Sequence, residues 1–408
     1  MLFVLKIIMY GLAGYLSFYS LYWFVSTFLG MCYRLQKPEV RNHSSPSMLI
    51  ILPAYKPGKI FHKVASCISK AISGRNVRVY ILLQEAEPEY KNAMEKLGFW
   101  VEEATFSHLA GNSYHHALKH VVSKITSLEQ QNEWKPDFVM LVDKDNLLAE
   151  DFFENITPDD YAKYDVIQGR RCSINTNGEV SFFDTVSESL NDTMFRSAKS
   201  LFKGTIEISG SGALIKTEVF RDAINRLDPK APGYDKNFMV QILTSHQKVR
   251  TLFLPYVKLF EEKTAEMDSY NPQRVRWFGE QYYNAIYSAG KLLKAFVQFG
   301  RFSALEYLIA LWRPPRSVQI LLVPALGTLE TAAYLWNGSW WLDFPFYTVS
   351  TFILSMAAVS FLAKERLLID ALRHIFSLPK LAFSNAKNAA ASVKKENHGK
   401  FIHTQHKM

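Results

Sequence analysis

Residues 137–146 have the sequence Asp-Phe-Val-Met-Leu-Val-Asp-Lys-Asp-Asn. This apolar run ends abruptly at two carboxylates, Asp143 and Asp145, with one residue between them. Such a run is typical of a buried strand in a mostly parallel sheet, and ligands of these sheets bind at the carboxyl ends of the strands. Side chains at i and i+2 of an extended segment share a face, so both carboxylates can reach one hard cation. The pattern predicts a Mg²⁺ or Mn²⁺ site that binds a diphosphate, with a solvated turn as the alternative.

Apolar runs around this segment alternate with helical patterns. Strand-like runs at residues 48–55, 77–83 and 99–104 are each followed by a helical pattern, which predicts a parallel, doubly wound α/β sheet. Beyond Asp145 the spacing predicts strands at 165–173 and 208–216 on either side of a helix at 184–202. A last strand is predicted at 250–254.

Three further stretches are long and nearly free of charge. No charged residue lies between Lys6 and Arg34, residues 317–342 contain only Glu330, and residues 344–363 contain none. Each stretch is long enough to cross about 30 Å of hydrocarbon as a helix. We therefore predict that transmembrane helices flank the α/β domain. The sequence leaves open whether Glu330 lines a sugar path, contacts another protomer or marks a break in the span.

Basic residues flank these stretches on one side only. The positive-inside rule then predicts that the chain crosses the cell (inner) membrane with residues 34–316 and the C-terminus in the cytoplasm. The residues concerned are Arg34, Lys37, Arg41, Arg313, Arg316, Lys364, Arg366 and Arg373. In a membrane protein the formal net charge of +9 suits an anionic leaflet and a phosphorylated substrate, and we expect no nucleic-acid partner.

Two polar segments lie beside predicted elements. Gly210-Ser211-Gly212 allows close approach of a ligand to the backbone, although a bulge in an edge strand explains the same residues. Asp235 opens a helix, where capping alone accounts for an aspartate.

In residues 273–277, Gln273, Arg276 and Trp277 share a helix face that suits phosphate and a stacked sugar ring. An amphipathic helix at a membrane surface is the alternative for this segment.

Four segments, taken in order, resemble motifs of the family 2 glycosyltransferases, in particular the membrane-embedded synthases similar to cellulose, chitin, hyaluronan and nodulation-oligosaccharide synthases. Pro53-Ala54-Tyr55 resembles the P-x-Y nucleotide loop, and Asp143-Lys144-Asp145 stands where the D-x-D motif belongs. Asp235 occupies the place of the Asp in the E-D motif, and residues 273–277 fit Q-x-x-R-W without substitution.

The resemblance implies a GT-A type, Rossmann-like cytoplasmic domain that transfers a sugar from a nucleotide-sugar donor, with UDP as the nucleotide, and inverts the anomeric carbon. It implies Asp235 as the catalytic base and Asp143 and Asp145 as metal ligands for Mg²⁺ or Mn²⁺. The implied donor contacts are Pro53, Ala54, Tyr55, Gln84, Glu85, Asn112, Asp143, Asp145 and Arg276. The implied acceptor contacts are Gly210, Ser211, Gly212, Gln273 and Trp277.

The sequence departs from the family pattern at several positions. The Asp that ends the second strand in the family is absent, so Gln84 or Glu85 would read the nucleotide base. Asn112 stands where a Lys often follows the helix-opening glycine, and Tyr234 replaces the Glu of E-D. These departures leave the base and acceptor specificity open.

The residue patterns and the resemblance together predict five regions and one leading function. The regions are a transmembrane helix at 1–33, the GT-A domain at 48–270, interfacial helices at 271–316, two transmembrane helices at 317–363, and an interfacial helix with a basic, disordered tail at 364–408. We expect a synthase that extends a β-linked polysaccharide or oligosaccharide, either alone or as a homo-oligomer. Two alternatives are transfer of one sugar to a polyprenyl-phosphate lipid and a non-catalytic membrane protein that binds nucleotide-sugars.

Overall fold

The computed structural model describes residues 2–38, 46–106, 108–109, 113–176, 178–264 and 266–394. Within these residues the strands are β1 Met48–Tyr55, β2 Val77–Gln84, β3 Trp100–Glu103, β4 Phe138–Leu141, β5 Leu147–Leu148, β6 Val166–Ser173, β7 Ala213–Lys216 and β8 Thr251–Glu261. The helices are α1 Leu2–Cys32, α2 Ile60–Ala71, α3 Pro88–Lys96, α4 Ser113–Gln130, α5 Pro158–Lys163, α6 Glu179–Asn191, α7 Ala198–Leu201, α8 Thr217–Asn225, α9 Asp235–Leu243, α10 Met267–Tyr287, α11 Ala289–Phe299, α12 Phe302–Leu311, α13 Arg316–Asn337, α14 Phe346–Lys364, α15 Leu368–Arg373 and α16 Leu378–Ser392.

The strands form one sheet in the order β3-β2-β1-β4-β7-β6-β8-β5. The half from β3 to β4 is parallel, as the alternation of strands and helices predicts. The other half is mixed, because β7 runs antiparallel to both β4 and β6, and β5 runs antiparallel to β8. Since β6 runs parallel to β8, four of the seven pairings among the described strands are parallel, and the sheet is a mixed α/β sheet.

Both faces of the sheet are covered, which explains why the central strands are apolar throughout. Leu49 and Ile51 of β1 pack with α4, α8 and α9, whereas Met48, Ile50 and Leu52 pack with α2 and α3. Successive side chains of a strand point to opposite faces, so a strand buried on both sides carries a continuous apolar run.

Several predicted boundaries were wrong. The strand predicted at 208–216 begins only at Ala213, because the preceding loop turns through positive φ at Gly210 and Gly212. The helix predicted at 184–202 begins at Glu179 and contains a π-helical segment, Asp192–Ser197. The boundary at 270/271 falls inside α10, and α16 extends to Ser392 within the region 364–408 that was predicted as an interfacial helix and a disordered tail.

Helices α1, α13 and α14 pack against one another beside the α/β domain. The Ser350 hydroxyl donates to Ser17 Oγ at 2.8 Å, and Gln319 Nε2 donates to Ser20 Oγ at 3.2 Å. Of the described helices, α13 and α14 are long and apolar enough to cross a membrane, by length and composition. Their outward surfaces expose large apolar side chains such as Leu335 and Phe352.

Glu330 lies on α13, which is continuous from Arg316 to Asn337 with Pro324 inside it. The Glu330 side chain is fully buried, and its Oε2 accepts the Thr348 N–H at 2.8 Å and the Thr348 hydroxyl at 2.9 Å. Thr348 belongs to the first turn of α14, where backbone N–H groups have no partner within the helix. Glu330 therefore caps the N-terminus of α14, and the break in the span considered from the sequence is absent.

We expect Glu330→Leu to destabilise the protein, because it leaves the buried Thr348 N–H without an acceptor. The loss should be about 1–3 kcal/mol, the usual penalty for a buried unsatisfied donor. Glu330→Gln retains an acceptor oxygen and should be close to wild type. Thermal unfolding of the three proteins in detergent measures this, and an equally stable Glu330→Leu variant would contradict the capping role.

Candidate active site

The carboxyl ends of β1, β2 and β4 lie together, because these strands are parallel neighbours. The Val142 N–H donates to the Ile51 carbonyl at 3.0 Å, which continues the pairing up to Asp143. The Asp143 N–H donates to Ser211 Oγ at 3.2 Å, and Asn146 Nδ2 donates to Asp145 Oδ1 at 2.8 Å. Burial and the Asp145 carboxylate raise the pKa of Asp143. The two predicted metal ligands thus lie close together at the edge of the sheet.

The lysine between them joins two of the predicted motifs. Lys144 Nζ donates to the Tyr55 carbonyl at 2.6 Å and to the Lys56 carbonyl at 3.2 Å. Burial lowers the pKa of Lys144, while Asp145 and Asp143 act in the opposite direction. The ammonium group therefore ties the end of the nucleotide loop to the aspartate pair.

The predicted nucleotide loop is built on paired strand ends. Pro53 and Ala54 are buried within β1, and Tyr55 lies opposite Gln84 of β2. The Tyr55 hydroxyl donates to Glu85 Oε2 at 3.0 Å, and Lys56 Nζ lies 3.2 Å from the same oxygen. Glu85 is therefore at this strand end, as predicted, whereas Gln84 is buried. Asn112 lies outside the described residues.

Asp235 begins α9, and its carboxylate lies against the backbone of Gly210. A Cβ on Gly210 would be 2.7 Å from Asp235 Oδ1, and Gly210 has a φ of +80°. The Tyr234 hydroxyl donates to the Gly210 carbonyl, which holds the loop and the helix together. The close approach predicted for this glycine is real, but the approaching group is the Asp235 carboxylate.

The other two residues of this loop are buried. Ser211 is fully buried beneath Asp143, and a Cβ on Gly212 would lie 2.6 Å from a methyl group of Leu259. Tight packing holds Gly212, and a hydrogen bond from the Asp143 N–H holds Ser211, while the acceptor contacts of both residues stay a prediction.

Two residues that sequence reasoning missed hold the start of α9. Glu280 of α10 is buried, and its Oε1 accepts the Lys236 N–H at 2.8 Å. His115 Nε2 donates to the Gly233 carbonyl at 3.1 Å, because a carbonyl oxygen can only accept. Burial lowers the pKa of His115 to about 4, so the ring is neutral at pH 7. Burial and then Glu280 raise the pKa of Asp235 to about 6.

The Q-x-x-R-W segment lies within α10 and faces the same site. The positive charge of Arg276 lowers the pKa of Asp235, so Arg276 lies on the side of α10 that is nearer to Asp235. The Arg274 guanidinium stacks on the Trp277 ring with 4.4 Å between its carbon and the ring centroid. This contact occupies one face of the predicted sugar platform. The side-chain oxygen of Gln273 is buried and has no hydrogen-bond partner among the described residues.

A series of ion pairs anchors the site from below. Arg171 of β6 pairs with Glu261 of β8, Glu261 pairs with Lys263, and Arg274 pairs with Asp184 of α6. These side chains are mostly buried, and burial of a charge is tolerated only when it is paired. The partners of the first and third pairs are 90 residues apart in sequence, so no local pattern indicated these two pairs.

The described residues contain no group of three His, Cys, Asp or Glu side chains that could hold a metal ion alone. Two carboxylates suit an open site, because Mg²⁺ is commonly held by one or two carboxylates together with water and substrate phosphates. Asp143 and Asp145 supply hard oxygen donors, and the raised pKa of Asp143 indicates that a nearby cation would be stabilising. The donor set fits the predicted ion.

Comparisons with known proteins identify the family to which this α/β protein belongs. Residues 138–364 match the model of the glycosyl transferase family group 2. This match covers more than half of the chain, so the chain belongs to that family. The predicted family is confirmed at this level.

Two solved structures that are similar to this chain are a mannosyltransferase and a glucosyltransferase-type synthase. The mannosyltransferase PcManGT from Pyrobaculum calidifontis, in complex with GDP-Man and Mn²⁺, is 14% identical with a TM-score of 0.52; the match covers 97% of this chain and 99% of that one. Glucosyl-3-phosphoglycerate synthase from Mycobacterium tuberculosis, in complex with Mn²⁺, UDP and phosphoglyceric acid, is 12% identical with a TM-score of 0.38, over 58% of this chain and 78% of that one. No curated protein matches the sequence.

We expect Gly210→Ala to abolish activity, because its Cβ would displace the Asp235 carboxylate. Gly98 provides a matched control, since its φ of +77° is similar and a Cβ there meets nothing within 4 Å. Both alanine variants should lose about 1–2 kcal/mol from the left-handed backbone. Thermal unfolding and sugar transfer, measured on both, separate the two effects. Equal activity of the two variants would refute the contact with Asp235.

Proposed function

We propose that this chain is an inverting glycosyltransferase that extends a β-linked polysaccharide or oligosaccharide from a nucleotide-sugar at the cytoplasmic face of a membrane. The observation that carries the proposal is the convergence of Asp143, Asp145, Asp235 and Arg276 where the strands of the family fold end. We propose UDP as the nucleotide, and GDP is the alternative because PcManGT binds GDP-Man.

Asp143 and Asp145 would hold Mg²⁺ or Mn²⁺, which acts as a Lewis acid on the diphosphate. Mn²⁺ in the complex of PcManGT is consistent with this ion. Tyr55, held by Lys144, would border the nucleotide, and Arg276 would contact the diphosphate as a second cation. Negative charge grows on the leaving diphosphate as the glycosidic bond breaks, so cations there lower the barrier.

Asp235 would accept the proton of the attacking hydroxyl. A raised pKa makes this carboxylate a stronger base than an ordinary aspartate, which favours proton transfer. The acceptor oxygen forms its bond to the anomeric carbon as the bond to the diphosphate breaks. A single displacement of this kind inverts the carbon, so an α-linked donor gives a β-linked product.

The membrane location is supported by exposed apolar side chains on the flanking helices. Val297 of α11, Phe302 of α12 and Phe376 near α15 are exposed on helices that the sequence predicts at the interface. Together with α13 and α14 they supply an apolar surface that is large for a soluble monomer. The charge asymmetry then supports a cytoplasmic catalytic domain.

We expect the purified chain to incorporate sugar from one member of a panel of UDP- and GDP-sugars, and only with Mg²⁺ or Mn²⁺. Asp145→Asn removes a charged ligand at nearly constant size and should lower transfer by at least about 10²-fold. Product analysis distinguishes a polymer from a sugar on a lipid phosphate. Full activity in excess chelator would refute the metal role.

Asp235→Asn should nearly abolish turnover while donor binding survives, because Asn is nearly the same size as Asp but accepts no proton. In the wild type, kcat should fall as the pH drops below about 6, where Asp235 becomes protonated. Turnover and donor binding are measured separately across pH. Near wild-type turnover by Asp235→Asn would show that Asp235 is not the base and has only a structural role.

A further inference from the structure

Glu280 occupies an unusual position for a buried acid. Only 3% of its surface is exposed, and it lies on α10 one helical turn beyond Arg276. Its Oε1 accepts the N–H of Lys236, the residue after Asp235, at 2.8 Å. Lys236 Nζ, at 3.9 Å from Oε2, is its ion-pair partner within the described residues.

The chain approaches this carboxylate so closely that position 233 has no room for a side chain. A Cβ on Gly233 would lie 2.4 Å from Glu280 Oε2. Residues 233 to 236 therefore wrap around the Glu280 carboxylate, and Asp235 lies within this turn. A capping aspartate or serine within the turn itself would be the ordinary way to satisfy a helix N-terminus. Here the acceptor comes from a different helix.

The Glu280 carboxylate places a second negative charge close to Asp235, and repulsion between the two charges is unfavourable. Other groups on the surrounding elements also interact with Asp235. They are Lys236 of α9, Arg171 of β6, Arg276 of α10, Asp143 after β4, and the phenols of Tyr114, Tyr234 and Tyr307. Among the charged groups, Glu280 has the largest effect on the pKa of Asp235, and it acts upward.

We propose that Glu280 is the positioning residue of the base: it fixes the first turn of α9 and supplies the negative charge that makes Asp235 a better proton acceptor. This inference rests on the proposed role of Asp235. Glu280 is buried and does not touch the substrate. The proton passes from the acceptor hydroxyl to Asp235, and from Asp235 to solvent after the nucleotide diphosphate has left.

The two contributions of Glu280 can be separated by substitution. Glu280→Gln keeps an acceptor for the Lys236 N–H but removes the charge, so it lowers the pKa of Asp235. The acid limb of kcat against pH should then move down by about one pH unit, with donor KM unchanged. Glu280→Ala removes both contributions, and its kcat should fall further than that of Glu280→Gln. The matched control is Glu129→Gln, which removes an acid of α4 that is paired with Arg221 of α8. This variant should leave the pH profile of kcat unchanged.

A second measurement does not depend on activity. At pH 7.5 Asp235→Asn relieves repulsion between two acids, so it should raise the unfolding temperature. The rise should be smaller in the Glu280→Gln background, because the repelling partner is already neutral. An unchanged acid limb in Glu280→Gln, or equal rises in the two backgrounds, would overturn the proposal. If the wild type and all variants lack sugar transfer but the two rises in unfolding temperature are unequal, the proposed function is refuted. The electrostatic effect of Glu280 on Asp235 is then retained.

Discussion

Repulsion among carboxylates is the constraint on which this structure depends. Asp143, Asp145, Asp235 and Glu280 come together at one edge of the sheet, although like charges in a partly buried site raise each other's energy. They stay there because backbone donors and interleaved cations hold them. The cations are Lys144, Arg171, Lys236 and Arg276. Such an arrangement is stable enough to fold and still favours a bound divalent cation.

The elements around the site are shaped by the same constraint. The loop before β7 turns through positive φ at Gly210 so that the Asp235 carboxylate can lie against its backbone. Buried ion pairs such as Arg171 with Glu261 and Arg274 with Asp184 fasten β8, α6 and α10 to the strand ends. A pair of this kind adds little net stability, but loss of one partner would leave an uncompensated buried charge. These pairs therefore specify geometry more than they stabilise the fold.

Local sequence patterns predicted the parallel half of the sheet, because each strand there is continuous in sequence and apolar on both faces. They also predicted Asp143 and Asp145, which follow a strand end, whereas the role of Asp235 was implied by the resemblance to the family. They could not predict Glu280, which reaches Asp235 from 45 residues away and has no motif of its own. The same limit applies to Glu330, since its partner Thr348 belongs to another helix. The start of β7 was predicted five residues too early, because the loop before it turns through positive φ at Gly210 and Gly212.

Helix α10 explains why the predicted boundary between catalytic and membrane-side regions has no physical counterpart. Three consecutive residues of this helix contact three different parts of the chain. Gly279 packs against Ser392 of α16, Glu280 accepts the Lys236 N–H, and Gln281 Nε2 donates to the carbonyls of Leu311 and Arg313 at 3.0 Å each. Through these contacts α10 joins the end of α12 and the following Arg313 to the start of α9. The position of the candidate base is thus set partly by segments that the sequence assigns to the membrane surface.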